Sequence, residues 1–196
     1  MQTPEPQLLG IIAVNDRVRA GATAAVSALR GNRIEAVMMT GDNQRTAAAV
    51  AEEVGIEQVL AEVLPDHKAA AIKRLAADGK TVAMVGDGIN DAPALAAADI
   101  GFAMGTGTDV AMHAAGITLM RGEPRLIADA IDVSRVTYRK IKQNLFWAFI
   151  YNLVAIPLAA SGYLSPVIAG AAMALSSISV VSNSLLLKNW QPGGTQ

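Results

Sequence analysis

Two short segments of this 196-residue sequence have the residue types of a phosphate and cation site. Thr40-Gly41-Asp42-Asn43 follows one apolar run, and Gly86-Asp87-Gly88-Ile89-Asn90-Asp91 follows another. A hydroxyl beside free backbone N–H groups at the start of a helix suits a phosphate. Two carboxylates four residues apart, with an amide between them and flexible glycines beside them, suit a hard oxygen-seeking cation such as Mg²⁺. The second segment therefore predicts a magnesium site.

Each segment also has a plainer interpretation. Residues 40–43 could be only a turn that ends in a helix N-cap, and taken alone they favour that interpretation. A Gly-Asp-Gly turn explains residues 86–91 less well, because such a turn does not need Asn90 and Asp91 as well. The loop Gly105-Thr106-Gly107-Thr108-Asp109 has too short a glycine pattern to indicate dinucleotide binding.

Lys68 is a third candidate, in the segment Pro65-Asp66-His67-Lys68 at the start of a predicted helix. Its ammonium could reach neighbouring strand ends and act on a phosphate as a point charge. A lone lysine is more often only solvated, so this residue by itself decides nothing. His67 is interpreted as a surface residue and not as a ligand.

The elements that must position these residues alternate between short apolar runs and helical stretches. Strands are predicted at residues 8–14, 35–40, 59–63, 81–85, 100–104 and 117–120. Helices are predicted at residues 20–30, 44–54, 66–78, 109–115 and 124–142. Such alternation predicts an α/β fold with a doubly wound parallel sheet. Because ligands bind at the carboxyl ends of the strands of such sheets, the candidate segments are expected to share one edge.

The charges are distributed very unevenly along the chain. Hydrophobic residues make up 52% and charged residues 17%, yet residues 143–187 carry no charge at all. All 33 charged residues fall among the other 151, which are 22% charged, an ordinary value for a soluble domain. A net charge of −1 argues against nucleic-acid binding, and the absence of cysteine excludes a disulfide framework and any thiolate metal site.

The uncharged segment predicts two membrane-spanning helices, at residues 145–160 and 167–187, joined by a turn at 161–166. About 20 apolar residues cross a bilayer, so the second stretch is long enough and the first needs residues 141–144 as well. A buried hairpin in a soluble core is disfavoured, since core helices rarely run so long without charge. Basic residues flank the pair: Arg135, Arg139, Lys140, Lys142 and Lys188.

The positive-inside rule then predicts that both ends of the hairpin are cytosolic and that the turn at Gly162 lies outside. The first residues have no basic region followed by an apolar core, so they do not resemble a signal peptide. The predicted domains are a soluble domain at 1–134, a membrane hairpin with its lead-in helix at 135–189, and a disordered tail at 190–196.

The threonine, lysine and double-aspartate segments follow one another in an order that resembles the motifs of the haloacid-dehalogenase-type phosphotransferases. The resemblance implies that this chain has an incomplete form of their fold. The exact residues of these segments, together with residues 105–109, are similar to the motifs of P-type ATPases. This resemblance extends over about residues 9–187. In that family ATP phosphorylates an aspartate, and hydrolysis of the resulting aspartyl phosphate is part of the cycle that drives ion transport. The resemblance implies that Mg²⁺ is held by Asp87 and ordered by Asn90 and Asp91. It also implies that the nucleotide and the transferred phosphoryl group are contacted by Thr40, Gly41, Asp42 and Lys68.

The membrane segments resemble those of copper(I) pumps within the heavy-metal subclass, at residues 144–157 and 173–184. Met173 and Ser177 are four residues apart on one helix face, and a thioether suits soft Cu(I) or Ag(I) better than Mg²⁺ or Ca²⁺. The polar Asn152 within a span is a functional candidate by default. The resemblance adds Tyr151 to these three as residues of the metal path. The alternative is that Met173 only fills space between packed helices.

Zinc and cadmium pumps of the same subclass usually carry a lysine and an aspartate in this membrane region, and residues 143–187 have neither. Another heavy metal remains the alternative cargo.

The sequence departs from the P-type pattern in one decisive respect. No aspartate in the 196 residues is followed by Lys-Thr, so the phosphorylated Asp-Lys-Thr-Gly-Thr motif is absent. The nucleotide-binding domain, the actuator domain and the earlier membrane helices of the family are also absent. The chain is therefore expected to correspond to the C-terminal part of a pump and to be inactive alone. The alternative is a non-catalytic membrane protein with a role in assembly or regulation.

The expected cofactors are Mg²⁺ and ATP, and the expected cargo is Cu⁺. The expected partners are the lipid bilayer and the N-terminal remainder of the pump, with no nucleic acid. The expected location is a bacterial inner membrane, with the soluble domain in the cytoplasm.

Overall fold

The structure is a computed structural model that describes residues 17–77, 79–163 and 165–192. In these residues the strands are β1 (Val37–Met39), β2 (Gln58–Leu60), β3 (Ala83–Gly86), β4 (Ile100–Met104) and β5 (Ile117–Leu119). The α-helices are α1 (Ala22–Gly31), α2 (Gln44–Val54), α3 (Pro65–Ala77), α4 (Ala92–Ala97), α5 (Asp109–Ala114), α6 (Arg125–Ala160) and α7 (Pro166–Leu185). Single 3-10 turns at Ile89–Asp91 and Leu186–Asn189 precede α4 and follow α7.

Every strand pairing in the described residues is parallel, as the alternation of strands and helices predicted. β1 pairs with β2, and β4 lies between β3 and β5 in a three-stranded sheet. Met39 of β1 packs against the same buried cluster as Met84 of β3, so the two sheets share a core. The strand predicted at 8–14 lies outside the described residues.

The predicted helices are present with shifts of one or two residues at their ends, except that those predicted at 124–142 and 145–160 form the single helix α6. α2 begins at Gln44 and stops at Gly55, whose φ of 81° ends the helix in the left-handed region that glycine favours. The short helix α4 was not predicted. Its alanine-rich sequence has no amphipathic pattern, and Pro93 suggests a loop although proline is well tolerated in the first turn of a helix.

The soluble domain holds the first part of α6 by apolar packing. Phe102, Met104 and Leu119 of β4 and β5 form a buried cluster, on which Leu126 and Ile127 of α6 pack. The whole of α6 is 36 residues long, with Pro157 near its end, which is about 54 Å at 1.5 Å per residue. The helix therefore joins the soluble domain directly to the predicted membrane segment and crosses the predicted domain boundary at 134/135.

α6 and α7 form the predicted helical hairpin. Both are long and apolar enough to cross a membrane. In the described part of the chain, no residue of their most apolar 18-residue stretches is fully buried. At the end of the hairpin, the indole of Trp190 donates a 2.8 Å hydrogen bond to Asp132 of α6. The first residue of the predicted tail thus contacts the part of α6 that lies in the predicted soluble domain, and the division into three domains stays a prediction.

Candidate active site

The loop after β1 folds around the hydroxyl of Thr40. That hydroxyl donates to Oδ2 of Asp42 at 2.9 Å and accepts the backbone N–H of Asp42 at 3.1 Å. Asn43 caps α2 by accepting the backbone N–H of Thr46 at 3.0 Å. This segment therefore forms a turn that ends in a helix N-cap. It leaves the Thr40 hydroxyl fixed at the carboxyl end of a parallel strand, where ligands bind.

A second loop, after β2, supports the first one through its backbone. The N–H of Glu62 donates to the carbonyl of Asp42 at 2.9 Å, and the N–H of Val63 donates to the carbonyl of Thr40 at 3.0 Å. Glu62 has a φ of 56°, in the left-handed region where a non-glycine residue is strained. Two hydrogen bonds between the loops compensate for that strain and fix the Thr40 loop from the side of β2.

Lys68 and Asp91 form the most buried ion pair of the described residues. The ammonium of Lys68 lies 2.7 Å from Oδ1 of Asp91, and the two side chains are only 17% and 13% exposed. Oδ2 of Asp91 accepts the backbone N–H of Gly88 at 3.4 Å. The structure thus brings the lysine of α3 to the loop after β3, as the strand-end argument predicted.

The loop containing Asp87 is fixed by the glycine-rich loop after β4. The carbonyl of Asp87 accepts the backbone N–H of Thr108 at 2.9 Å. A Cβ added at Gly107 would collide with the carbonyl oxygen of Asp87 and lie 2.8 Å from its Cα. The 105–109 loop, which the sequence excluded only as a dinucleotide site, therefore supports the Asp87 loop.

Arg19 is a site residue that the sequence interpretation missed. It lies just before α1 and reaches Oδ2 of Asp87 with Nη2 at 3.2 Å and the carbonyl of Gly122 with Nη1 at 3.4 Å. Both charged side chains are about half exposed. The only available signal was a cation a few residues after a predicted strand, which is too common to be informative.

The donor chemistry at the strand ends suits magnesium. Mg²⁺ is usually held by one or two carboxylates together with water and substrate phosphate, and dedicated protein cages are rare. Asp87 and Asp91 supply two hard oxygen ligands, and the described residues form no cluster of three or more potential metal ligands. Both oxygens of Asp91 are engaged, Oδ1 by Lys68 and Oδ2 by the N–H of Gly88. In the described residues only Oδ2 of Asp87 is engaged, by Arg19, so Asp87 is the carboxylate that is better placed to bind the cation directly.

Four of the seven predicted site residues outside the hairpin form two hydrogen-bonded pairs. Hydrogen bonds join Thr40 with Asp42 and Lys68 with Asp91, and in the described residues none of them links one pair to the other. Asn90 is exposed in the middle of the 3-10 turn.

In the hairpin, the partly buried residues show which sides of α6 and α7 meet. On α6 they include Asn144, Ala148, Tyr151 and Ala155, and on α7 they include Ala169, Ala172, Ser176, Ser179 and Asn183. These positions repeat every three or four residues, as expected for one side of a helix. Most are small, which is typical of helices that pack closely in a membrane.

The four predicted metal-path residues do not share that side. Tyr151 lies on it, whereas Asn152, Ser177 and Met173 are exposed, Met173 by 72%. Ser177 donates to the carbonyl of Met173 at 3.1 Å, and Asn152 donates to the carbonyl of Ala148 at 2.9 Å. Both polar groups are therefore satisfied within their own helices, and the Met173 thioether remains accessible.

A polar cluster joins the two helices near the soluble domain. Asn183 accepts from the Lys140 ammonium at 2.8 Å and donates to Oδ1 of Asn144 at 2.7 Å. Asn144 in turn donates to the hydroxyl of Ser184 at 2.8 Å. The sequence contained these residues but gave no indication that they pair, because they lie about 40 positions apart.

Comparison with known proteins places this arrangement in a family. Residues 2–99, half of the chain, match the haloacid dehalogenase-like hydrolases. The chain belongs to that family. Its haloacid dehalogenase-like fold and the two apolar helices together resemble a zinc-transporting PIB-type ATPase in its E2·Pi state. The TM-score is 0.81 at 38% identity, over 88% of this chain and 28% of that one.

Sequence relatives are closer still. The haloacid dehalogenase-like chain is 59% identical over 179 residues to a copper-exporting P-type ATPase of Bacillus subtilis (strain 168), which covers 91% of this chain. It is 60% identical over 182 residues to a copper-exporting P-type ATPase of Staphylococcus haemolyticus (strain JCSC1435), and that match covers 93% of this chain. The predicted resemblance to heavy-metal P-type ATPases is confirmed. The chain spans less than a quarter of the length of these relatives, 22% and 23%.

Proposed function

We propose that this chain is part of an ATP-driven pump that exports Cu(I), with Ag(I) as a second possible cargo. It supplies residues of the phosphoryl and magnesium site and two helices of the metal path. The observation that carries the proposal is α6, a single helix that starts on the sheet bearing Asp87 and continues into the apolar hairpin. One helix thus connects the candidate chemical site with the candidate transport path.

The soluble residues have the electrostatic requirements of phosphoryl transfer. Positioned cations and hydrogen-bond donors stabilise the negative charge that spreads over the transferred group. Lys68 supplies a fixed ammonium. The single hydrogen of the Thr40 hydroxyl is donated to Asp42 here, and it would have to turn to the phosphoryl group when that group binds. Asp87 and Asp91 would hold Mg²⁺, which when bound would neutralise phosphate charge. ATP would require a nucleotide-binding domain that these 196 residues do not contain.

The exposed thioether of Met173 supports a soft cargo. Sulfur ligands select Cu(I) over hard cations, and residues 143–187 contain no charged side chain that would bind a hard ion. The similarity to a zinc transporter keeps another heavy metal as the alternative cargo, but that protein is 38% identical, against 59% for the copper exporter.

The proposed setting is a bacterial inner membrane, with the soluble domain in the cytoplasm and Gly162 on the outer side. Basic residues at the soluble end of the hairpin support this orientation. The proposed partners are the bilayer and the remainder of the pump. Exposed apolar residues on α6 and α7, such as Phe149 and Ile178, fit contact with lipid or with further helices.

The first test concerns the missing nucleophile. The purified chain, incubated with γ-labelled ATP, Mg²⁺ and Cu(I), is expected to form no acid-stable phosphoenzyme, because it has no Asp-Lys-Thr motif. Acid gels would detect the label, and a complete copper pump would be the positive control. Copper-stimulated labelling of the chain alone would show that the phosphate acceptor lies elsewhere.

The second test concerns the cargo. Met173→Ala, made in a complete pump that contains this region, is expected to abolish Cu(I) binding at the membrane site, since the soft ligand is lost. Binding would be measured by competition with a Cu(I) chelator. Met120→Ala is the matched control, because Met120 is 82% exposed but lies in the soluble domain. Unchanged binding in the Met173 variant would remove the argument for copper.

A further inference from the structure

Arg19 is a charged residue at the strand ends that the proposed chemistry does not use. Its guanidinium contacts two separate loops, one after β3 through Asp87 and one after β5 through Gly122. A planar fork of fixed donors suits such double contact.

The surroundings of Arg19 are shaped to receive its side chain. A Cβ added at Gly122 would lie 3.0 Å from Nη1 of Arg19 and 3.0 Å from the hydroxyl of Thr106. The absence of a side chain at position 122 therefore lets the guanidinium approach the carbonyl. Because an exposed ion pair contributes little to stability, the value of this contact lies in its geometry.

The contact leaves one oxygen of Asp87 available. Arg19 binds Oδ2, and in the described part of the chain no hydrogen bond reaches Oδ1 of the same carboxylate. Metal-binding carboxylates are commonly held by a hydrogen bond to a neighbouring group, which fixes the direction of the ligand atom. The positive charge of Arg19 opposes a nearby cation, but at half exposure solvent screens that repulsion.

We propose that Arg19 is a positioning residue for the divalent cation, holding Asp87 through Oδ2 so that Oδ1 points to the metal. This rests on the proposed function of Asp87 as a magnesium ligand. Loss of the guanidinium frees the carboxylate to rotate and to hydrogen-bond elsewhere, so the cation binds less tightly.

The test is direct titration of the purified 196-residue chain in detergent with Mn²⁺, followed by electron paramagnetic resonance. The Mn²⁺ binding that is lost in the Asp87→Asn variant is taken as the binding at this site. Arg19→Ala is expected to weaken that part about tenfold. Arg19→Lys is expected to recover part of the loss, since an ammonium can hold one oxygen. Thermal unfolding followed by circular dichroism checks that each variant is folded.

Arg30→Ala is the matched control, because Arg30 makes a similar exposed ion pair with Glu57 and a bond to the carbonyl of Gly55 away from the strand ends. The inference is overturned if Arg19→Ala binds Mn²⁺ as tightly as the wild type or more tightly, or if Arg19→Lys is no better than Arg19→Ala. If Asp87→Asn binds Mn²⁺ like the wild type, the proposed magnesium site itself fails, which is a distinguishable result.

Discussion

Replacing Lys68 by alanine is expected to lower the free energy of unfolding of the soluble domain by about 3 kcal/mol. The ammonium of Lys68 lies 2.7 Å from Asp91, whose side chain is only 13% exposed. Without its partner the carboxylate remains largely buried and uncompensated, and the desolvation penalty is no longer offset. Urea unfolding of the chain in detergent, followed by circular dichroism, would measure the change.

Two further variants distinguish this effect from general damage. Lys68→Ala combined with Asp91→Asn is expected to be more stable than the sum of the single changes predicts, because the buried charge is gone. Lys80→Ala breaks an exposed pair with Glu35, in which the side chains are 59% and 61% exposed, and is expected to cost less than about 1 kcal/mol. Equal losses for Lys68→Ala and Lys80→Ala would show that burial does not strengthen the Lys68 pair.

Gly107→Ala is expected to destabilise the soluble domain by about 2 kcal/mol and to displace the Asp87 loop. The new Cβ would collide with the Asp87 carbonyl and lie 2.8 Å from the Asp87 Cα. These are backbone atoms, so the clash can be relieved only by moving the loop that carries the carboxylate. The same urea unfolding experiment measures the change in stability. Because a displaced Asp87 loop would bind Mn²⁺ less tightly, Mn²⁺ titration detects the displacement.

Gly116→Ala is the control for this substitution. A Cβ at Gly116 would meet nothing within 4 Å, so this change is expected to leave stability unaltered or to raise it by up to about 1 kcal/mol by restricting the unfolded chain. The two alanines are thus expected to have opposite effects. Similar results at positions 107 and 116 would contradict the close approach of the two loops.

The sequence by itself determined the elements and the chemistry that they carry. Alternating apolar runs and helical stretches are local patterns, so they predicted the parallel sheet, the helices and the strand-end positions of the Thr40 and Asp87 segments. The charge-free stretch at 143–187 is a property of composition and predicted the hairpin. Of the α-helices in the described residues, α4 was overlooked, because its alanines carry no periodic signal.

The tertiary structure decided which of these groups meet. Lys68 and Asp91 are 23 residues apart, and Arg19 and Asp87 are 68 apart, so neither pairing follows from any local pattern. The faces of α6 and α7 were equally undetermined, and they place Tyr151 at the contact between the helices and Met173 outside it. Such contacts depend on how loops and helices pack across the whole domain. Residue type and local spacing set what each group can do, and packing sets the partner with which it does so.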